Sequence, residues 1–139
     1  MKRCIQIPAM LENWKLVYDF LQEFIDEMNV DFRVKSKVLL SAEEIFVNIA
    51  KYAYPEDKGD VLVDITFNPQ ESVLQVKFRD SGIPFDPTKW RIPDIQQNLS
   101  NRKIGGLGIF IVRKMMDEIQ YFHDGGANNL LIIKKIKFV

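Results

Sequence analysis

The chain has 139 residues, 47% of them hydrophobic, and sets 19 lysines and arginines against 19 aspartates and glutamates. That length and apolar content suit one domain, 1–139, with a real core, and a balanced charge without a basic stripe argues against direct nucleic-acid binding. A single cysteine, Cys4, excludes an internal disulfide, and no secretory leader or long apolar run is visible, so a cytoplasmic protein without membrane attachment is expected.

Residues 2–8 read as a short strand ending at Pro8. Met10, Leu11, Trp14, Val17, Tyr18, Leu21, Phe24, Ile25 and Met28 then recur at steps of three and four, which predicts an amphipathic helix. A second helix is predicted over 34–53, with Val38, Ala42, Ile45, Phe46, Ile49 and Ala53 on its apolar face. Pro55, Asp57 and Gly59 break it. Val61, Val63, Ile65 and Phe67 alternate with more polar neighbours, and so do Leu74, Val76 and Phe78. With a turn at 68–72, they read as a hairpin. One apolar face per strand points to an antiparallel sheet covered by helices on one side.

Residues 83–104 carry Pro84, Pro87 and Pro93 without a clear period, as a functional loop or lid does. Gly105–Gly108 leads into an apolar helix through Ile109, Phe110, Ile111, Val112, Met115 and Met116. A strand at 119–123, a turn at 124–129 and a last strand at 130–138 complete the chain.

Three segments carry candidate chemistry. In the second helix Glu44 and Asn48 are four apart and so about 40° apart around the axis, with Lys51 on the same side, whereas Glu43 points roughly 140° from Asn48. A carboxylate can accept a proton from an attacking hydroxyl, a carboxamide oxygen can ligate magnesium, and a lysine can neutralise phosphate. The same trio lies opposite the apolar face, where any solvated helix carries such residues, so both readings stand on spacing alone. Asp80, at a strand end before Ser81-Gly82, can accept from a purine amine or simply close an Asx-type turn. Gly105, Gly106 and Gly108 either let backbone approach a phosphate at a helix start or allow tight packing. They form neither a Walker loop nor a dinucleotide fingerprint.

With one His and one Cys, His123 and Cys4, a zinc site or a Cys/His or Ser/His/Asp centre is not expected. Met115 and Met116 read as core. Trp90, Arg91, Arg102 and Lys103 lie in or beside the presumed lid, where a cation can reach a terminal phosphate.

Glu44-x-x-x-Asn48-x-x-Lys51, Asp80-Ser81-Gly82-Ile83-Pro84-Phe85-Asp86-Pro87 and Gly105-Gly106-Leu107-Gly108-Ile109 occur in an order that resembles the ATPase superfamily of gyrase, heat-shock chaperones, histidine kinases and mismatch-repair ATPases. The chain is most similar to the anti-sigma-factor serine kinases of bacteria, over nearly its whole length. Pro84 stands where many superfamily members have a glycine, a departure that suits this branch.

The resemblance implies an α+β, two-layer sandwich of the Bergerat type, with helices on one face of a mixed, mostly antiparallel sheet. It implies ATP and Mg²⁺ as cofactors, with Asn48 holding the metal and Glu44 as general base. Lys51 would lie at phosphate and Asp80 at the adenine amine, in a pocket shaped by Gly82. Gly105, Gly106, Leu107 and Gly108 would wrap the phosphates. It further implies a serine protein kinase that phosphorylates a small anti-sigma-factor antagonist, sequesters a sigma factor and forms a homodimer. A nucleotide-binding module that acts by sequestration alone is the alternative. A histidine kinase core fits less well, because these 139 residues hold no separate phosphoacceptor helix pair.

Overall fold

Period-two alternation and one apolar stripe per helix build two layers, a sheet and the helices that cover it. The computed structural model describes residues 1–89 and 106–138, without the side chains of Lys89, Gly106 and Leu107. The strands are β1 (Lys2–Pro8), β2 (Asp60–Asn68), β3 (Val73–Asp80), β4 (Glu118–Asp124) and β5 (Ala127–Lys135), and the helices are α1 (Trp14–Glu27), α2 (Phe32–Tyr52) and α3 (Gly106–Met115). The five strands run in the order β1-β2-β3-β5-β4. Every described pairing is antiparallel, so the mixed sheet expected from the sequence is corrected to an antiparallel one.

The core lies between the layers. Val61, Val63 and Ile65 of β2, Val76 and Phe78 of β3 and Ile132 of β5 are fully buried against the stripes of α1 and α2. Phe46 of α2 is 0% exposed, and its ring lies 5.7 Å from that of Trp14. Burying one such side chain contributes about 1.5–3 kcal/mol. The opposite face of the sheet is mixed: Lys77 pairs with Asp64 at 3.8 Å, beside apolar Leu62, Leu131 and Ile133. Among the described residues no helix is long and apolar enough to cross a membrane.

Local chemistry moves several boundaries. The first helix is preceded by a 3-10 turn at Leu11–Asn13, where the Asn13 amide donates to the Pro8 carbonyl at 2.9 Å. α2 starts at Phe32, ahead of the predicted Val34, because Asp31 caps it by accepting from the Arg33 N–H at 2.7 Å. The turn expected over 124–129 is shorter. Gly125 and Gly126, at φ of 60° and 77°, reverse the chain by themselves, so β5 already begins at Ala127. Asn128 and Asn129, read from the sequence as turn residues, are buried strand residues.

Candidate functional site

A pocket open to solvent lies where α2, the exit of β3 and the start of α3 converge. Its walls are mostly apolar: Ile45, Ile49 and Ala53 of α2, Ile83, Phe85 and Pro87 after β3, Ile109 of α3 and Leu130 of β5. Tyr52, Asn48, Asp80, Tyr121 and Asn128 supply the polar groups. A largely apolar cleft with a few convergent polar groups suits a flat, partly polar ligand.

Asp80 is the last residue of β3 and only 6% exposed. Its Oδ1 accepts from the Gly82 N–H at 2.9 Å and from Asn128 Nδ2 at 3.0 Å. Burial pushes its carboxyl above the ordinary value of 3.8, and these two bonds pull it back. Both bonds fall on Oδ1, so among the described residues Oδ2 is the acceptor left to a ligand. The turn reading therefore accounts for Oδ1, and the binding reading would need only Oδ2.

Gly82 does not line the pocket; it lets the chain turn behind it. A Cβ there would stand 2.2 Å from the Ala53 carbonyl oxygen at the end of α2, an oxygen that accepts from the Ile83 N–H at 2.9 Å. Tyr54 adds a second tie across this junction. Its hydroxyl accepts from the Ser81 N–H at 2.9 Å and donates to the Asp60 carbonyl at 2.7 Å. Gly59, read from the sequence only as a helix breaker, lies against the Tyr54 ring, where a Cβ would fall 2.1 Å from ring carbons.

Glu44 and Asn48 are half-buried, because α3 packs against α2 on that flank. The pair is partly covered and partly solvated. A Cβ at Gly108 would meet Glu44 Oε2 at 2.5 Å, so the carboxylate occupies the space that the glycine leaves. Burial raises the Glu44 carboxyl above its usual 4.5, repulsion from Glu43 adds to this, and Lys51 opposes it. Lys51 is exposed and outside the pocket lining, near enough to Glu44 for its charge to be felt. Asn48 lines the pocket, and its buried Nδ2 has no hydrogen-bond partner among the described residues.

Carboxamide oxygen and nitrogen exchange places on rotation, so an unpaired buried end of Asn48 can offer oxygen to a cation. Among the described residues no cluster of three or more His, Cys, Asp or Glu is placed to hold a metal. An ion at Asn48 would therefore take its other ligands from water and from a bound phosphate, which is how Mg²⁺ is usually held. The residues present fit that ion in that form.

Gly106, Leu107 and Gly108 lie within the first turn of α3 and not in a loop before it. A helix's first turn has N–H groups without partners inside the helix, and Ile109 of this turn lines the pocket. Gly105 lies outside the described residues, as do Trp90, Arg91, Arg102 and Lys103. The described stretch of the presumed lid ends in a 3-10 turn at Pro87–Lys89. There Asp86 accepts from the Thr88 N–H at 2.9 Å, and Arg113 of α3 donates to the Thr88 carbonyl. Sequence reasoning missed Asn128, Tyr121 and Tyr54. The one signal for Asn128 was the Gly125-Gly126 pair, which can make a complete two-residue turn and so leave the next residues to the strand.

A family model described as histidine kinase-like ATPase domain matches residues 7–135. The serine-protein kinase RsbW of Bacillus cereus (strain AH820) is 27% identical over 131 residues, covering 91% of this chain and 81% of that protein. The protein of the same name from Bacillus thuringiensis (strain Al Hakam) is 26% identical with the same coverage. A crystal structure of RsbU and RsbW domains from Mycobacterium tuberculosis superposes on the whole chain with a TM-score of 0.69 at 16% identity. The chain spans 34% of that longer chain, and at this identity the likeness bears on the fold alone.

Proposed function

The chain belongs to the histidine kinase-like ATPase domain family, and on that premise we propose that it is an ATP- and Mg²⁺-dependent serine protein kinase that also acts as an anti-sigma factor. One observation carries the reading: a single pocket has a buried carboxylate, Asp80, and an unpaired carboxamide, Asn48, among its polar groups, with apolar walls between. The first suits a purine amine and the second a phosphate-bound cation.

In this reading Asp80 accepts from the adenine amine, with Gly82 shaping the turn that presents it. Ile49, Ile83 and Leu130 flank the base. Asn48 and Lys51 face the phosphates, and the N–H groups of Gly105, Gly106, Leu107 and Gly108 donate to them. When bound, Mg²⁺ supplies charge neutralisation on the phosphate oxygens. Glu44 takes the proton from the attacking serine hydroxyl, and its raised pKa makes it a stronger base than an exposed glutamate. The hydroxyl oxygen bonds to the terminal phosphorus as the bond to the leaving ADP oxygen breaks.

The name carried by the Bacillus relatives supports a serine substrate. The proposed acceptor is a small anti-sigma-factor antagonist, and the proposed sequestered partner a sigma factor, with the kinase a cytoplasmic homodimer. The test is incubation with Mg-ATP and the candidate antagonist, followed by mass spectrometry. A phosphoserine on the antagonist is expected. ATP binding without any phosphoserine would overturn the kinase assignment in favour of a module that works by sequestration alone.

A further inference from the structure

Asn128 is 6% exposed and stands directly opposite Asp80 in the register of β3 and β5. Its Oδ1 accepts from the Phe85 N–H at 3.2 Å and from the Tyr121 hydroxyl. Its Nδ2 donates to Asp80 Oδ1 at 3.0 Å and to the Ile83 carbonyl at 3.0 Å, with a longer contact to the Gly82 carbonyl at 3.5 Å. A carboxamide has two N–H groups and two acceptor sites, so these partners use all of it. Its orientation is also determined. The Phe85 N–H can only donate and the Ile83 carbonyl can only accept, so oxygen must face the first and nitrogen the second.

We infer that Asn128 is a positioning residue that selects the base: it holds Asp80 as a pure acceptor, so the pocket takes a purine bearing an exocyclic amine and rejects a 6-oxo purine. The inference rests on the assignment of Asp80 to the adenine amine. Selection follows from saturation. Both Asn128 N–H groups are committed to Asp80 and to the loop, so neither can turn to meet a carbonyl oxygen on the base. Asp80 then presents an acceptor to another acceptor, which is repulsive. Without Asn128 the Ile83 carbonyl loses the Nδ2–H that ties the loop to β5. The buried Asp80 carboxyl also loses one of the two bonds that favour its charged form. Freed of that bond, the Asp80 side chain can rotate, so its acceptor no longer confronts a 6-oxo group at a fixed position.

The test uses the full chain and two nucleotides, ATP and inosine triphosphate, which carries oxygen in place of the amine. Their affinities are measured by calorimetry for the wild type, Asn128→Ala and Asn128→Thr. The wild type is expected to prefer ATP. In Asn128→Ala the ratio of the two affinities should fall on the order of tenfold, the worth of a hydrogen bond to a charged group. Asn128→Thr should lie between, because a hydroxyl can still donate to Asp80 but cannot also hold the loop.

If Asn128→Ala does not fold, the threonine variant decides, since its ratio must lie below that of the wild type. Equal weakening of both nucleotides with an unchanged ratio would reduce Asn128 to a structural residue. A wild type that binds both nucleotides equally would overturn base selection, and one that binds neither would overturn the nucleotide reading itself.

Discussion

Glu44 and Glu43 are neighbours in sequence and face different surroundings. Only Glu44 points at Gly108 and the start of α3, with its carboxyl raised by burial and by Glu43. Glu44→Gln keeps the volume and removes the proposed base. Phosphotransfer from labelled ATP to the antagonist should fall on the order of 10²–10⁴-fold, while ATP affinity by calorimetry stays nearly unchanged. Equal transfer by mutant and wild type would remove Glu44 from the mechanism. Because the base must be ionised, the wild-type rate should rise with pH through an inflection above 4.5, the ordinary value for this group. The same inflection should be missing from the residual rate of Glu44→Gln.

α2 and α3 meet where helix stability and site geometry pull in opposite directions. Gly108 sits in the first turn of α3, and glycine costs a helix roughly 1 kcal/mol relative to alanine. The atom that an added Cβ would meet is the flexible end of Glu44, at 2.5 Å, and not backbone. Gly108→Ala should therefore retain or raise the denaturation midpoint while displacing the carboxylate and slowing phosphotransfer. Loss of both stability and activity would mean that the helices are too tightly packed for Glu44 to move. Gly82 is the contrasting case, since its added Cβ would strike the Ala53 carbonyl oxygen, which cannot swing aside.

Ligand binding at this pocket joins α2, the sheet and α3, so it should stabilise the whole molecule. A ligand present at a hundred times its dissociation constant adds about 2.7 kcal/mol to unfolding. ATP should accordingly raise the melting temperature of the wild type, and Asp80→Asn should abolish the rise. Without ligand the sign reverses. The folded Asp80 carboxyl titrates above 3.8, so its unfavourable burial is absent below that pH and develops as pH rises through the folded value. Ligand-free Asp80→Asn should therefore melt higher than the wild type at neutral pH, with the gain vanishing below about pH 3.8. A mutant that melts lower at neutral pH would show that the Gly82 and Asn128 bonds outweigh desolvation.

Periodicity sufficed where one residue type had one possible fate. The stripe from Val38 to Ile49 and the alternation from Val61 to Phe78 mark their buried faces, because apolar side chains leave water wherever the backbone period aligns them. The order of the three motifs likewise placed Glu44, Asn48 and Asp80 in one family frame. Polar residues have two fates, and the chain alone does not choose between them. Whether Glu44 and Asn48 face water depends on α3, more than fifty residues later in the sequence, packing beside them. Whether Asn128 sits in a turn or opposite Asp80 depends on how few residues the hairpin needs, which the left-handed pair Gly125-Gly126 settles. A hydrogen-bonding side chain takes its role from the partners brought to it, and those partners are assembled only when distant segments meet.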